Sequence, residues 1–155
     1  MTQWQYRELC RLCVADHFGV PLAEVRTRQV PGPVQPGQRH YPLAIDLLWV
    51  TENVLARYVH IAAVFRRPNR PVQMPYVLLM QKCKEKIGAH KVVLFSCCGF
   101  APAARAAAAS DRMDLYVVRP LFELHLAPAR SPVTFRRRLE AFSRTHGRPY
   151  SLQIL

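Results

Sequence analysis

Residues 43–66, LAIDLLWVTENVLARYVHIAAVFR, constrain the fold of this chain more than any other stretch. Two apolar runs, residues 43–50 and 54–65, are parted by the polar triplet Thr51, Glu52 and Asn53. Both runs are apolar on successive as well as alternate positions, the pattern of strands covered by helices on both faces, so the stretch predicts a hairpin inside a sandwiched sheet. Asp46 alone interrupts the first run, and a carboxylate in so apolar a segment is costly unless a partner compensates it.

The flanking segments supply the covering layers. Gln3–Phe18 predicts a helix capped by Thr2 and ended by Gly19, with Tyr6, Cys10, Cys13, Val14 and His17 on its inner face. Residues 24–30 alternate as a short strand, and residues 31–42, PGPVQPGQRHYP, hold Pro or Gly too often for a regular element and predict a surface loop. A second loop, RRPNRPV at residues 66–72, brings Arg66, Arg67 and Arg70 together at the end of the hairpin. Then come a helix over residues 74–89 closed by Gly88, a buried strand over 91–97, an alanine-rich helix in APAARAAAAS, and a strand over 115–118. A strand, a crossover helix and a second strand in so few residues imply a parallel, right-handed unit.

After Pro120 the character changes. Ser131 and Pro132 open an amphipathic helix with Phe135, Leu139 and Phe142 on one face, Arg136, Arg137, Arg138 and Arg144 on the other, and Gly147 at its end. Residues 150–155 read as a terminal edge strand. The expected architecture is an α/β domain with a central mixed sheet over residues 1–120, and an extension over 121–155 docked on the same domain.

Charge narrows the partner. Lys and Arg number 22 against 10 Asp and Glu, a net charge of +12 that favours a polyanion, nucleic acid first and an anionic membrane surface second. No apolar run approaches the ~20 residues that span a bilayer, and residues 1–18 carry charges throughout, unlike a secretory signal. The expectation is a cytoplasmic protein with no membrane partner. Five cysteines without a framework fit reduced thiols. Cys10 and Cys13 form a CxxC on the stripe that faces the core and read as buried thiols, and Cys97 and Cys98 read as buried or half-buried thiols with no partnering His. GxSxG, GxxxxGK and HExxH are absent.

The order helix, strand, hairpin with an Asp, helix, strand, GF, small-residue helix, strand resembles the Mrr-type branch of the restriction endonuclease-like, or PD-(D/E)xK, nuclease superfamily. The likeness covers residues 4–120 and rests on AIDLLW, AHKVVLFSCCGFAPAARAAA and LYVVRP. It implies a three-layer α/β/α fold and, in the active members, DNA hydrolysis assisted by Mg²⁺ held by an Asp on the second strand and an acid on the third, with a Lys two residues on. Asp46 matches the first position. Counting back from RPV places Val64 and Arg66 at the other two, and counting from the start of HIAAVFR places Ala63 and Phe65 there.

Neither register offers a second oxygen ligand, so no cofactor is expected, and Mg²⁺ only if acids have migrated, with Glu85 or Glu8 as donors and Lys82 or Lys84 as substitute cations. The resemblance therefore implies a catalytically degenerate pseudo-nuclease that binds DNA, with Arg66, Arg67, Arg70, Arg136, Arg137 and Arg138 on phosphates. The alternatives are an active metal-dependent endonuclease with migrated residues, and an interaction module whose terminal helix and strand form a homodimer or dock a partner.

Overall fold

A computed structural model describes residues 1–27, 45–121 and 131–155. The loop expected over 31–42, the end of the strand expected over 24–30, and Leu43 lie outside the described residues.

The elements follow from local chemistry. Helix α1 (Gln3–Phe18) begins in a capping box, in which the Thr2 hydroxyl accepts the Gln5 N–H and the Gln5 side chain accepts the Thr2 N–H at 2.8 Å. Gly19, in the left-handed region at φ 65°, ends it. A 3₁₀ turn at Leu22–Glu24 leads to β1 (Arg26–Thr27), and β2 (Leu47–Glu52) and β3 (Arg57–Phe65) form the hairpin. Its turn falls on residues 53–56, later than the triplet Thr51 to Asn53. Asn53 sets it, because its side-chain oxygen accepts the N–H groups of Leu55 and Ala56, each at 2.9 Å. Helix α2 (Met74–Ile87), β4 (Lys91–Ser96), α3 (Pro102–Ser110), β5 (Asp114–Pro120), α4 (Pro132–His146) and β6 (Tyr150–Ile154) complete the chain.

The strands lie in one six-stranded mixed sheet in the order β1-β2-β3-β4-β5-β6. Pairing is parallel for β3 with β4 and β4 with β5, and antiparallel elsewhere. Helices cover both faces. On one, Tyr6, Leu9, Cys10, Cys13 and Val14 of α1 and Phe135 and Leu139 of α4 pack on Leu47, Trp49, Ala62, Val64, Phe95 and Val118. On the other, Val77, Met80 and Cys83 of α2 and Ala104 and Ala108 of α3 pack on Ile61, Ala63, Leu94 and Val117. Fully buried Ala104 and Ala108 let α3 approach the sheet closely, as its composition predicts.

The C-terminal extension belongs to the same core, since β6 is the sixth strand and Tyr150 is buried with Phe135 and Leu139. His17 departs from the predicted inner stripe. It is exposed, and its ring meets Phe18 and Tyr116 edge-on. Cys10 and Cys13 are fully buried, free thiols as expected.

Candidate functional site

The C-terminal ends of the parallel strands β3, β4 and β5 open together on one side of the sheet, where the following loops diverge. Alternation along β3 settles which side chains point where. Ala62 and Val64 face α1, while Ile61 and Ala63 face α2, so Arg66 continues the α1-facing row.

Asp46 sits just before β2, at a break in alternation, because Ile45 packs in the α2 core and Leu47 in the α1 core. Its own N–H donates to the Ala62 carbonyl and its carboxylate accepts the Val64 N–H, each at 2.8 Å. Burial pushes the Asp46 carboxyl above its ordinary range, opposed by that N–H and by the positive charge of Arg7 on α1. The register with Val64 and Arg66 in line with Asp46 is therefore the one adopted.

The residues present do not fit Mg²⁺. Octahedral Mg²⁺ needs oxygen ligands at close range, and Val64, the position at which the resemblance would put a second acid, presents an isopropyl group. Among the described residues, no three His, Cys, Asp or Glu side chains gather to hold a metal.

Of the candidate migrated acids, only Glu8 is paired among the described residues. Glu85 is exposed on α2, across the sheet from Asp46, and lines a groove with Gln81, Lys84 and Asp111. Lys82 is exposed on the same helix. Glu8 is buried on α1, where Arg136 of α4 grips both its oxygens at 2.7 and 3.2 Å and Arg11 adds a contact at 3.3 Å. Through this bidentate pair the guanidinium of Arg136, one of the cations expected on phosphate, fastens α4 to α1.

The other predicted cations divide. Arg137 is exposed on α4, and Arg138 is half-buried there. The Arg67 guanidinium lies 4.4 Å from the centre of the Tyr76 ring and bonds its hydroxyl, which ties it to α2. Arg70 is exposed. The loop that carries these arginines is anchored at its far end, where Val72 exchanges backbone hydrogen bonds with the GF turn: its N–H donates to Gly99 and its carbonyl accepts from Ala101, each at 2.9 Å. That turn is held by buried Ser96, whose hydroxyl accepts the N–H groups of Cys98 and Gly99.

Arg66 faces a crevice of about 320 Å³ lined by Met1, Tyr6, Arg66, Pro68, Cys97, Arg119 and Pro120. Two of its features escape a reading of the sequence. Arg119, at the end of β5, is among the residues that line it, and the cue was its place directly after a buried strand in LYVVRP. Gln3 clamps the edge of the site, its amide donating to the Val64 carbonyl at 2.8 Å and accepting the Arg66 N–H at 3.3 Å. Neither Arg66 nor Arg119 has an acidic partner among the described residues. Cys97 also lines the crevice, and burial raises its thiol pKa, opposed by the backbone N–H of Arg67, so it is a weak nucleophile there.

No protein-family model matches the chain, and no curated protein or solved structure matches it either. What is shown is an α/β protein with a mixed sheet covered by helices, and no helix among the described residues is long and apolar enough to cross a membrane.

Proposed function

We propose that this protein binds DNA without cutting it, on a scaffold of the restriction endonuclease-like type whose metal site has degenerated. The observation that carries the reading is the row Asp46, Val64, Arg66. The one acid is occupied by the Val64 N–H, the position of the second acid is aliphatic, and the third position is a guanidinium without an acidic partner among the described residues. Removing a carboxylate while retaining cations turns a site that would hold a metal into one that attracts phosphate directly. Arg119 and exposed Arg70 extend the positive surface along the same end of the sheet, and the net charge of +12 has the matching sign.

A gel-shift titration at two salt concentrations tests it. Binding is expected at low salt and should weaken steeply as salt rises, because each neutralised phosphate releases counterions. Absence of a shift at low salt would end the DNA reading. Nicking of supercoiled plasmid with Mg²⁺ or Mn²⁺ that disappears in Asp46→Ala would show an active nuclease instead.

A second reading, an assembly module, is favoured by β6, whose outer edge pairs with no strand among the described residues. Ile154 on β6 and the adjacent Leu155 are exposed on the last strand of the sheet. Sedimentation as a dimer with no DNA shift would select it.

A further inference from the structure

Strand β6 carries a row of main-chain hydrogen-bonding groups that meet no partner among the described residues. We infer that this edge pairs antiparallel with the β6 of a second copy of the chain, about a two-fold axis at Leu152, so that the two sheets run on as one. The inference deepens the reading of the chain as an assembly module, and it holds whether or not the chain also binds DNA.

The register fixes which groups point outward. β5 and β6 pair as Val117 with Gln153 and Arg119 with Ser151, and the same register continues past both ends of the strand. There the Leu155 N–H donates to the Leu115 carbonyl at 3.0 Å and the Leu121 N–H donates to the Pro149 carbonyl at 2.9 Å. Bonded and non-bonded pairs alternate along an antiparallel ladder, so Ser151, Gln153 and Leu155 turn their main-chain groups toward β5. Tyr150, Leu152 and Ile154 turn theirs away from it. Edges of this kind are normally guarded by charges, prolines, bulges or shortness. β6 runs five residues without a break in register, and residues 150–155, YSLQIL, hold no Lys, Arg, Asp, Glu or Pro. At the other edge β1 spans only Arg26–Thr27 among the described residues and carries a charge.

Three features select a second copy as the occupant. First, the outward groups are self-complementary. With Leu152 opposite itself, Tyr150 falls opposite Ile154 on either side of the axis, and each of these pairs can exchange two main-chain hydrogen bonds. Second, the side chains match. Tyr150 and Leu152 pack on the α1 side of the sheet, and Ile154 continues their row but is 56% exposed. Opposite residues share a face, so the pairing lays Ile154 beside Tyr150 of the second copy, while exposed Ser151 and Gln153 meet on the other face. Third, the charges allow one orientation. Two copies of net charge +12 repel each other as wholes, and the charge nearest to β6 in sequence is exposed Arg148. Antiparallel pairing about Leu152 holds the two Arg148 residues roughly 27 Å apart, well beyond the ~8 Å screening length at physiological salt. Parallel pairing in register would set them about 5 Å apart.

Sedimentation equilibrium up to about 100 μM, at two salt concentrations, tests the inference. A weak dimer is expected, because the contact is small. It should tighten as salt screens the repulsion, the opposite of the salt dependence of DNA binding. Ile154→Lys should weaken the dimer at least about tenfold and leave thermal unfolding of the dilute protein unchanged, since the side chain is exposed. Val54→Ser combined with Leu55→Ser, at the exposed β2–β3 turn, should leave the dimer as it is. With Cys97→Ser and Cys98→Ser as background, Leu152→Cys should form an intermolecular disulfide on mild oxidation, whereas Gln153→Cys, which faces its copy only diagonally, should not. A monomer at every concentration and both salts would overturn the inference and the assembly reading together. A dimer that survives Ile154→Lys, or one that cross-links through Gln153→Cys and not through Leu152→Cys, would overturn the inference and leave the assembly reading standing.

Discussion

The carboxylate of Asp46 accepts the backbone N–H of Val64 at 2.8 Å, so the one acid in the apolar hairpin serves as a backbone acceptor where β2 and β3 part. Asp46→Ala leaves that N–H without its acceptor and should cost about 1–3 kcal/mol, measured by urea unfolding. Asp46→Asn keeps an oxygen for the bond and removes the charge, and should be at least as stable as the parent at pH 7. The sign follows from the raised carboxyl pKa: the folded protein holds a proton that the unfolded chain has released, so stability falls as pH climbs from the ordinary carboxylate range through the folded pKa. The advantage of Asn should therefore grow as pH climbs from the ordinary carboxylate range through the folded pKa and vanish below the ordinary range. Thermal unfolding across that interval checks it, and an Asn variant less stable than the parent at pH 7 would contradict this role.

The pair between Arg136 and Glu8 makes α4 part of the core. Arg136→Ala leaves buried Glu8 with Arg11 alone and should destabilise the fold by about 1–3 kcal/mol, a range set by the partial exposure of Arg136 and by the remaining partner. Arg137→Ala, on the exposed face, should change stability by less than about 0.5 kcal/mol. Equal losses in the two variants, read by urea unfolding, would refute the distinction.

The β2–β3 turn separates geometry from exposure. Val54 and Leu55 at its tip are fully exposed, so Val54→Ser combined with Leu55→Ser should leave stability within about 0.5 kcal/mol of the parent. Asn53→Ala removes the acceptor of two backbone N–H groups and should cost about 1 kcal/mol. Chemical denaturation of the two variants gives the comparison.

Thiol accessibility should divide the five cysteines. Cys97 and Cys98 are half-buried and should react with a thiol reagent in the native protein, whereas Cys10, Cys13 and Cys83 are buried and should react only on unfolding. Burial raises Cys10 well above its ordinary pKa and pushes Cys13 up to about 12, which leaves almost no thiolate on either at pH 8. A titration with and without denaturant counts the two classes, and fast native labelling of Cys10 or Cys13 would contradict the packing of α1.

The alternatives left open by the chain were settled by packing. Whether Val64 and Arg66 or Ala63 and Phe65 line up with Asp46 is a matter of one residue in register, and counting from either end of an apolar run with few polar landmarks cannot choose between them. The choice came from α1, whose Tyr6, Cys10 and Val14 define one face of the sheet and whose Gln3 fixes the backbone at Val64 and Arg66. Glu8 and Arg136, far apart along the chain, likewise became partners only when α4 docked.

From the order of residues alone came the helices, the hairpin, the parallel crossover and the sign of the charge, because caps, periodicity and glycine stops act over a few neighbouring positions. The tertiary structure alone decided which arginines are committed and which lack an acidic partner. Arg66 and Arg119 come from segments more than fifty residues apart, and only the lateral order of β3, β4 and β5 sets them in one crevice, since strand order depends on how both faces of the sheet are covered and not on any local signal.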